Sequence, residues 1–141
     1  MTQQAISLIK AAVKTMKNSP NIEEQVVAGA VLGRNGKIYT GFNLFRRHYA
    51  GSICGEMAAI SAGISDCAPD KFDPVLIVGV KPHTKAKNGV AVINQCGSCL
   101  QRLKDSYPDT KILVADMEGR VEEKTLEYLL PHGYDKARGD Y

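Results

Sequence analysis

The 141-residue sequence has no run of about 18 or more apolar residues, so no membrane-spanning helix is expected. Its opening, MTQQAISLIK, lacks the basic-then-apolar layout of a secretion signal, which makes a cytoplasmic location the expectation. It also lacks any concentration of positive charge. The net charge is +3 and the Lys and Arg are spread along the chain, which weighs against nucleic acid as a partner. There is no internal repeat and no linker-like stretch, so residues 1–141 are expected to form a single domain around one core. Cysteine is sparse, with four residues in all. In a reducing compartment these are poor candidates for disulfides, which leaves metal binding or plain burial as their use.

What is present reads as alternating helices and strands. In AISLIKAAVKTM, Ile6, Ile9, Val13 and Met16 fall at helical spacing. EEQVVAGAVLG and KIYTGFN read as two strands joined by a tight turn at Arg34 to Gly36, and LFRRHYAG, Leu44 to Gly51, as a loop. A nearly all-apolar helix follows from about Cys54 to Ser65. DPVLIVGV is a continuous apolar strand, and VAVI is a short apolar piece leading into a helix whose Leu100, Leu103 and Tyr107 share one side before Pro108 closes it. TKILVAD is another strand, and VEEKTLEYLLP reads as a short helix docked by Leu126, Leu129 and Leu130. This order predicts an α/β fold, a three-layer α/β/α sandwich with a mixed five-stranded sheet.

One charge interrupts the apolar helix. Glu56 lies in SICGEMAAISAGI, where a carboxylate is costly unless it is paired, protonated or used. It sits two residues after Cys54, and Cys96 and Cys99 form a C-x-x-C pair at another helix start, 42 residues after Cys54. The pair alone is ambiguous between a redox motif, a zinc clamp and coincidence. If the two helix starts meet, three thiolates converge, a set that suits Zn²⁺ and leaves its fourth position open. Helix N-termini stabilise thiolate charge. Glu56 could then reach a water on the metal and act as general base and then general acid. The bland alternatives are a helix-capping role for Glu56 and a closed structural zinc site with Cys67 as fourth ligand. A helix from Cys54 to Cys67 would hold their ends ~20 Å apart, which argues against the second.

A zinc ligand, one residue, Glu and a later C-x-x-C match the zinc deaminase signature with Cys in place of His. The chain resembles the cytidine deaminase family in its all-cysteine-ligand branch. GFNLFRRHYAGSICGEMAAI is laid out like the family's strand, substrate loop and zinc helix, and QCGSCLQRL like its second zinc helix. The insertion before Cys96 and the tail YLLPHGY look most like the blasticidin S deaminase subgroup. The resemblance implies a cytidine deaminase-like fold, Zn²⁺ as cofactor, Cys54, Cys96 and Cys99 as metal ligands, and Glu56 as the catalytic proton carrier. It implies hydrolytic deamination of a cytidine-like aminopyrimidine nucleoside to a uridine-like product and ammonia, by a homotetramer. Asn43 stands where the family binds the sugar; Phe45 and Tyr134 are the other expected substrate contacts.

The chain also departs from the family pattern. Phe45 replaces a Glu that binds a ribose hydroxyl, which favours blasticidin S or another aminopyrimidine nucleoside over ordinary cytidine. Gly55 replaces the usual Ala beside the ligand, Gln95 replaces the usual Pro before the C-x-x-C, and Met57 and Leu100 stand where Arg is common. These departures sustain a further alternative, a zinc-stabilised binding protein without activity. They also assign the task of offsetting three thiolates to helix dipoles and backbone N–H groups or to Arg46, Arg47 or Arg102, one of which is expected to hydrogen-bond a thiolate. An enzyme editing RNA or DNA would need a basic channel that this sequence does not supply.

Overall fold

In a computed structural model of the chain, residues 1–19, 26–44, 52–68 and 70–135 are described. Helix α1 (Gln3–Lys17) starts at Thr2, whose side chain accepts from the Ala5 N–H, and buries Ala5, Leu8, Ala12 and Met16 against a sheet. The buried stripe is rotated from the expected one. Ile9 and Val13 lie at its margin, because the small Ala5 and Ala12 let the helix axis approach the strands closely.

Strands β1 (Ala28–Gly33) and β2 (Ile38–Phe42) form the expected hairpin, with Gly36 at φ +81° supplying the left-handed turn position. β1 also pairs antiparallel with β3 (Pro74–Pro82). The far half of β3 pairs antiparallel with β4 (Val90–Ile93), while its near half pairs in parallel with β5 (Lys111–Ala115). β5 then pairs antiparallel with β6 (Val121–Thr125), giving one mixed sheet ordered β2-β1-β3-β5-β6 with β4 beside β3.

The sheet thus has six strands where five were expected, and the sixth is the first half of VEEKTLEYLLP, expected to be helical. Asp116 explains the difference. Its Oδ1 accepts from the N–H groups of Glu118 and Arg120, and Gly119 at φ +79° completes a turn that sends the chain back along β5. Glu122 and Glu123 are exposed, as suits an edge strand guarded by charge. Only Leu126–Leu129 is helical (α4), capped by Thr125.

The remaining helices, α2 (Gly55–Cys67) and α3 (Gly97–Ser106), pack with α4 on the face opposite α1. Alternation along the strands feeds both layers. Ala28, Ala30, Leu32, Val78 and Val80 face α1, whereas Val31, Ile77 and Ile112 face α2, α3 and α4. The α/β/α sandwich is therefore as expected. Strand pairing adds a feature on the α2 face: Gly29 is opposite Gly41 on one side and Gly79 on the other, so three glycines form a row across β2, β1 and β3.

Candidate active site

Two helix starts carry the cysteines. Cys54 is the N-cap of α2 and Cys96 the N-cap of α3, both with extended backbone, and neither side chain caps its own helix. A thiol is a weak acceptor, so the sulfurs turn toward each other instead. Cys54 Sγ lies 3.9 Å from Cys96 Sγ, which lies 3.5 Å from Cys99 Sγ, and all three fall within 4.8 Å of one another. Cys96 and Cys99 belong to one turn, three residues apart, and so share a helix face.

The spacing fits a tetrahedral metal. Two sulfurs each ~2.3 Å from zinc stand about 3.8 Å apart. The titration behaviour fits as well. Burial first, and then the neighbouring thiols, push Cys99 far up; burial first, and then the charge of Cys96, raise Cys54. Burial also acts to raise Cys96, but the N–H groups of Cys99 and Ser98 and the neighbouring thiols outweigh it and hold Cys96 below its ordinary value. Three thiolates this close need a cation before all can ionise, and a divalent one supplies it.

Glu56 is 3% exposed and joins Cys54, Cys96, Asn43 and Ile93 in lining a pocket of ≈ 230 Å³. Burial raises its carboxyl, partly opposed by its own backbone N–H and by the nearby Gln95 amide. The glycine row makes room for it. A Cβ at Gly79 would collide with the Glu56 carboxylate oxygen, and one at Gly29 would collide with the backbone of Gly55 and Glu56. A Cβ on Gly41 would lie 2.6 Å from that of Ala58, and one on Gly55 would lie 2.7 Å from the Val27 carbonyl. The first turn of α2 therefore rests directly on strand backbone. Gly55, in the place where the family pattern has Ala, is what lets it dock.

Gln95, in the place where the family pattern has Pro, is held from both sides. Asn94 Nδ2 donates to the Ala115 carbonyl at 3.2 Å and its Oδ1 accepts from the Ala115 N–H at 2.9 Å, while Cys96 is fixed as the α3 cap. Gly29, Gly79 and Asn94 were not singled out from the sequence. The paired strands alone bring the glycines together, and only the isolated polar Asn94 after VAVI hinted at a strand-end clamp.

The other expected residues are dispersed. Asn43 lines the pocket; its Oδ1 accepts from the Val27 N–H at 2.9 Å and so also fastens the end of β2 to the start of β1. Phe45, like Arg46 and Arg47, lies outside the described residues. Tyr134 does not line this pocket; Gln101 clips its backbone to α3 through bonds of 2.8 and 2.9 Å. Arg102 is exposed, and among the described residues no arginine bonds a thiol of the cluster. Met57 packs beside, and Leu100 within, the apolar core. Cys67 sits at the far end of α2, half-buried with Asn35 Nδ2 at 3.3 Å and the Tyr39 hydroxyl at 3.2 Å, apart from the cluster. A larger groove, ≈ 580 Å³ between α1 and β3–β4, lies on the other face of the sheet and is lined, among the described residues, by no cysteine, histidine or carboxylate.

A family model described as the cytidine and deoxycytidylate deaminase zinc-binding region matches residues 2–115, which include all three clustered cysteines and Glu56. The chain is 25% identical over 138 residues to a blasticidin-S deaminase from Bacillus cereus, covering 96% of each. It is 28% identical over 130 residues to a cytidine deaminase from Halalkalibacterium halodurans, covering 90% of this chain and 91% of that one. The crystal structure of cytidine deaminase from Mycobacterium leprae is similar with a TM-score of 0.69 and 27% identity, over 91% of this chain and 98% of that one.

Proposed function

Because the chain belongs to the cytidine and deoxycytidylate deaminase family, we propose that it hydrolyses the ring amine of a cytidine-like nucleoside, releasing ammonia. In this reading Cys54, Cys96 and Cys99 hold Zn²⁺, and Glu56 is the catalytic residue. Bound zinc supplies Lewis acidity that brings water toward ionisation near neutral pH. Glu56 accepts a proton at its carboxylate and returns it to the substrate, a role suited to a carboxyl whose affinity for protons is raised by burial. The glycine row fixes where that carboxylate stands. The N–H groups of Ser98 and Cys99 offset thiolate charge at Cys96. Asn43 orients the sugar from the pocket wall. Phe45 stays a proposed substrate contact on sequence grounds, while Tyr134, which stands clear of its own chain's pocket, gains no support. The carrying observation is the juxtaposition of a deeply buried Glu56 with three thiols spaced for one metal ion.

Blasticidin S is the second substrate reading. It is favoured by Phe45 and by the full-length similarity to the Bacillus cereus protein. The zinc-loaded protein, incubated with cytidine, deoxycytidine and blasticidin S, is expected to release ammonia from at least one. Glu56→Gln is expected to keep zinc and fold while losing about 10²- to 10⁴-fold in turnover. An active Glu56→Gln would overturn the proton-carrier role. No turnover of the three by wild type would favour a zinc-stabilised binding protein instead. We further propose a cytoplasmic homotetramer. Leu44 and Ile53, which are 50% and 41% exposed at the pocket mouth, support assembly at this end of the molecule. Light scattering is expected to give the mass of four chains.

A further inference from the structure

Gln95 is 9% exposed, and among the described residues neither its amide nitrogen nor its amide oxygen has a hydrogen-bond partner. Leaving a buried donor and acceptor unpaired is costly, so such a group calls for a partner in some working state of the protein. Its backbone has little freedom to find one. Asn94 is tied to β5 on one side and Cys96 begins α3 on the other. Ile93 lies against the place of Gly79 beside the Glu56 carboxylate, and Gln95 follows it by two residues, the repeat that returns an extended chain to the same face. Both amide atoms are sealed from water, which puts them out of reach of a ligand entering the pocket. The Glu56 carboxylate, which shares with Ile93 the space over Gly79, is a polar group on that same face, although no hydrogen bond joins it to the amide here.

We infer that Gln95 is a positioning residue for Glu56: its carboxamide pairs with the Glu56 carboxyl in the working enzyme and holds it in the orientation that proton transfer requires. An amide is suited to the task because it offers both a donor and an acceptor. It can donate to the carboxylate and accept from the carboxylic acid, so the pairing survives the movement of the proton. Gly79 and Ile93 restrict Glu56 from the sheet side, and Gln95 restricts it from the C-x-x-C side.

The inference rests on the reading of Glu56 as proton carrier, and two measurements separate the failure of one from the failure of the other. The first is kinetic. On a nucleoside that wild type deaminates, zinc-loaded Gln95→Met is expected to lose about 10- to 100-fold in kcat with KM within about twofold. Gln95→Asn, which keeps donor and acceptor on a shorter side chain, is expected to fall between the two. An unchanged kcat in Gln95→Met overturns the inference. The second needs no turnover. Thermal midpoints are measured for wild type, Gln95→Met, Glu56→Leu and the double variant, each carrying one zinc per chain. The double variant is expected to depart from the sum of the singles by about 3 °C or more. Additive shifts overturn the pairing even if the deaminase reading stands. If wild type deaminates no nucleoside but the shifts are coupled, the pairing stands and the functional reading falls.

Discussion

Glu56 is expensive where it lies. Burial favours its protonated form, and its own backbone N–H and the Gln95 amide only partly oppose that. The position is tolerable because the sheet leaves a recess for the carboxylate at Gly79. Gly79→Ala fills that recess with a methyl group. It is expected to keep zinc stoichiometry but to lose about 10²-fold in kcat, the scale of a 1 Å misplacement, as read by ammonia release beside metal analysis. The cysteines and Glu56 were legible in the sequence because they occupy two short segments, each at a helix start, at spacings that only a few chemistries use. Gly79 was not. Its bearing on Glu56 depends on which strand pairs with which, information that no local spacing carries.

At the scale of elements, the docking of α2 on β1 decides the geometry. Gly55→Ala would restore the residue usual in the family pattern. It gains up to about 1 kcal/mol in helix propensity, but overpacking costs about 1–3 kcal/mol. The new Cβ would lie 2.7 Å from the Val27 carbonyl and 2.8 Å from the Gly29 nitrogen. Main-chain atoms yield less than flexible side chains, so the cost wins. The thermal midpoint is expected to fall by about 3–6 °C, with reduced activity as the first turn of α2 lifts. The hairpin, the buried strand β3 and the two cysteine-bearing helices were legible because their apolar periods are unambiguous. β6 was not, since Val121 to Thr125 holds two exposed glutamates and a lysine and carries no period-2 apolar signal. The turn at Asp116, rather than the strand's own side chains, makes it a strand. The phase of α1 was misjudged for a related reason. Alanine counts little as an apolar marker, yet Ala5 and Ala12 mark the line of closest approach.

For the molecule as a whole, zinc held by the three thiols would tie together two helix starts that stand 42 residues apart in the sequence, so its binding energy would add to folding energy. Chelation at neutral pH is expected to abolish turnover and lower the thermal midpoint by about 10 °C or more, both restored by added zinc. Acid is expected to act in the same direction. Without metal, burial holds Cys54 and Cys99 above their ordinary values, so protons compete strongly for these sulfurs. Zinc affinity then falls as pH falls, and calorimetry in buffers of different ionisation enthalpy is expected to show proton release on zinc binding.

The row formed by Gly41, Gly29 and Gly79 has a consequence for descent. Along the chain these positions are far apart; across the sheet they are adjacent. A side chain gained at Gly29 or Gly41 meets the backbone of α2 and forces the helix to move, and one gained at Gly79 displaces the carboxylate that the helix carries. The three sites therefore form a single heritable unit. Lineages are expected to keep all three bare or to rebuild the helix seat as a whole, so variation at one should be statistically tied to variation at the others.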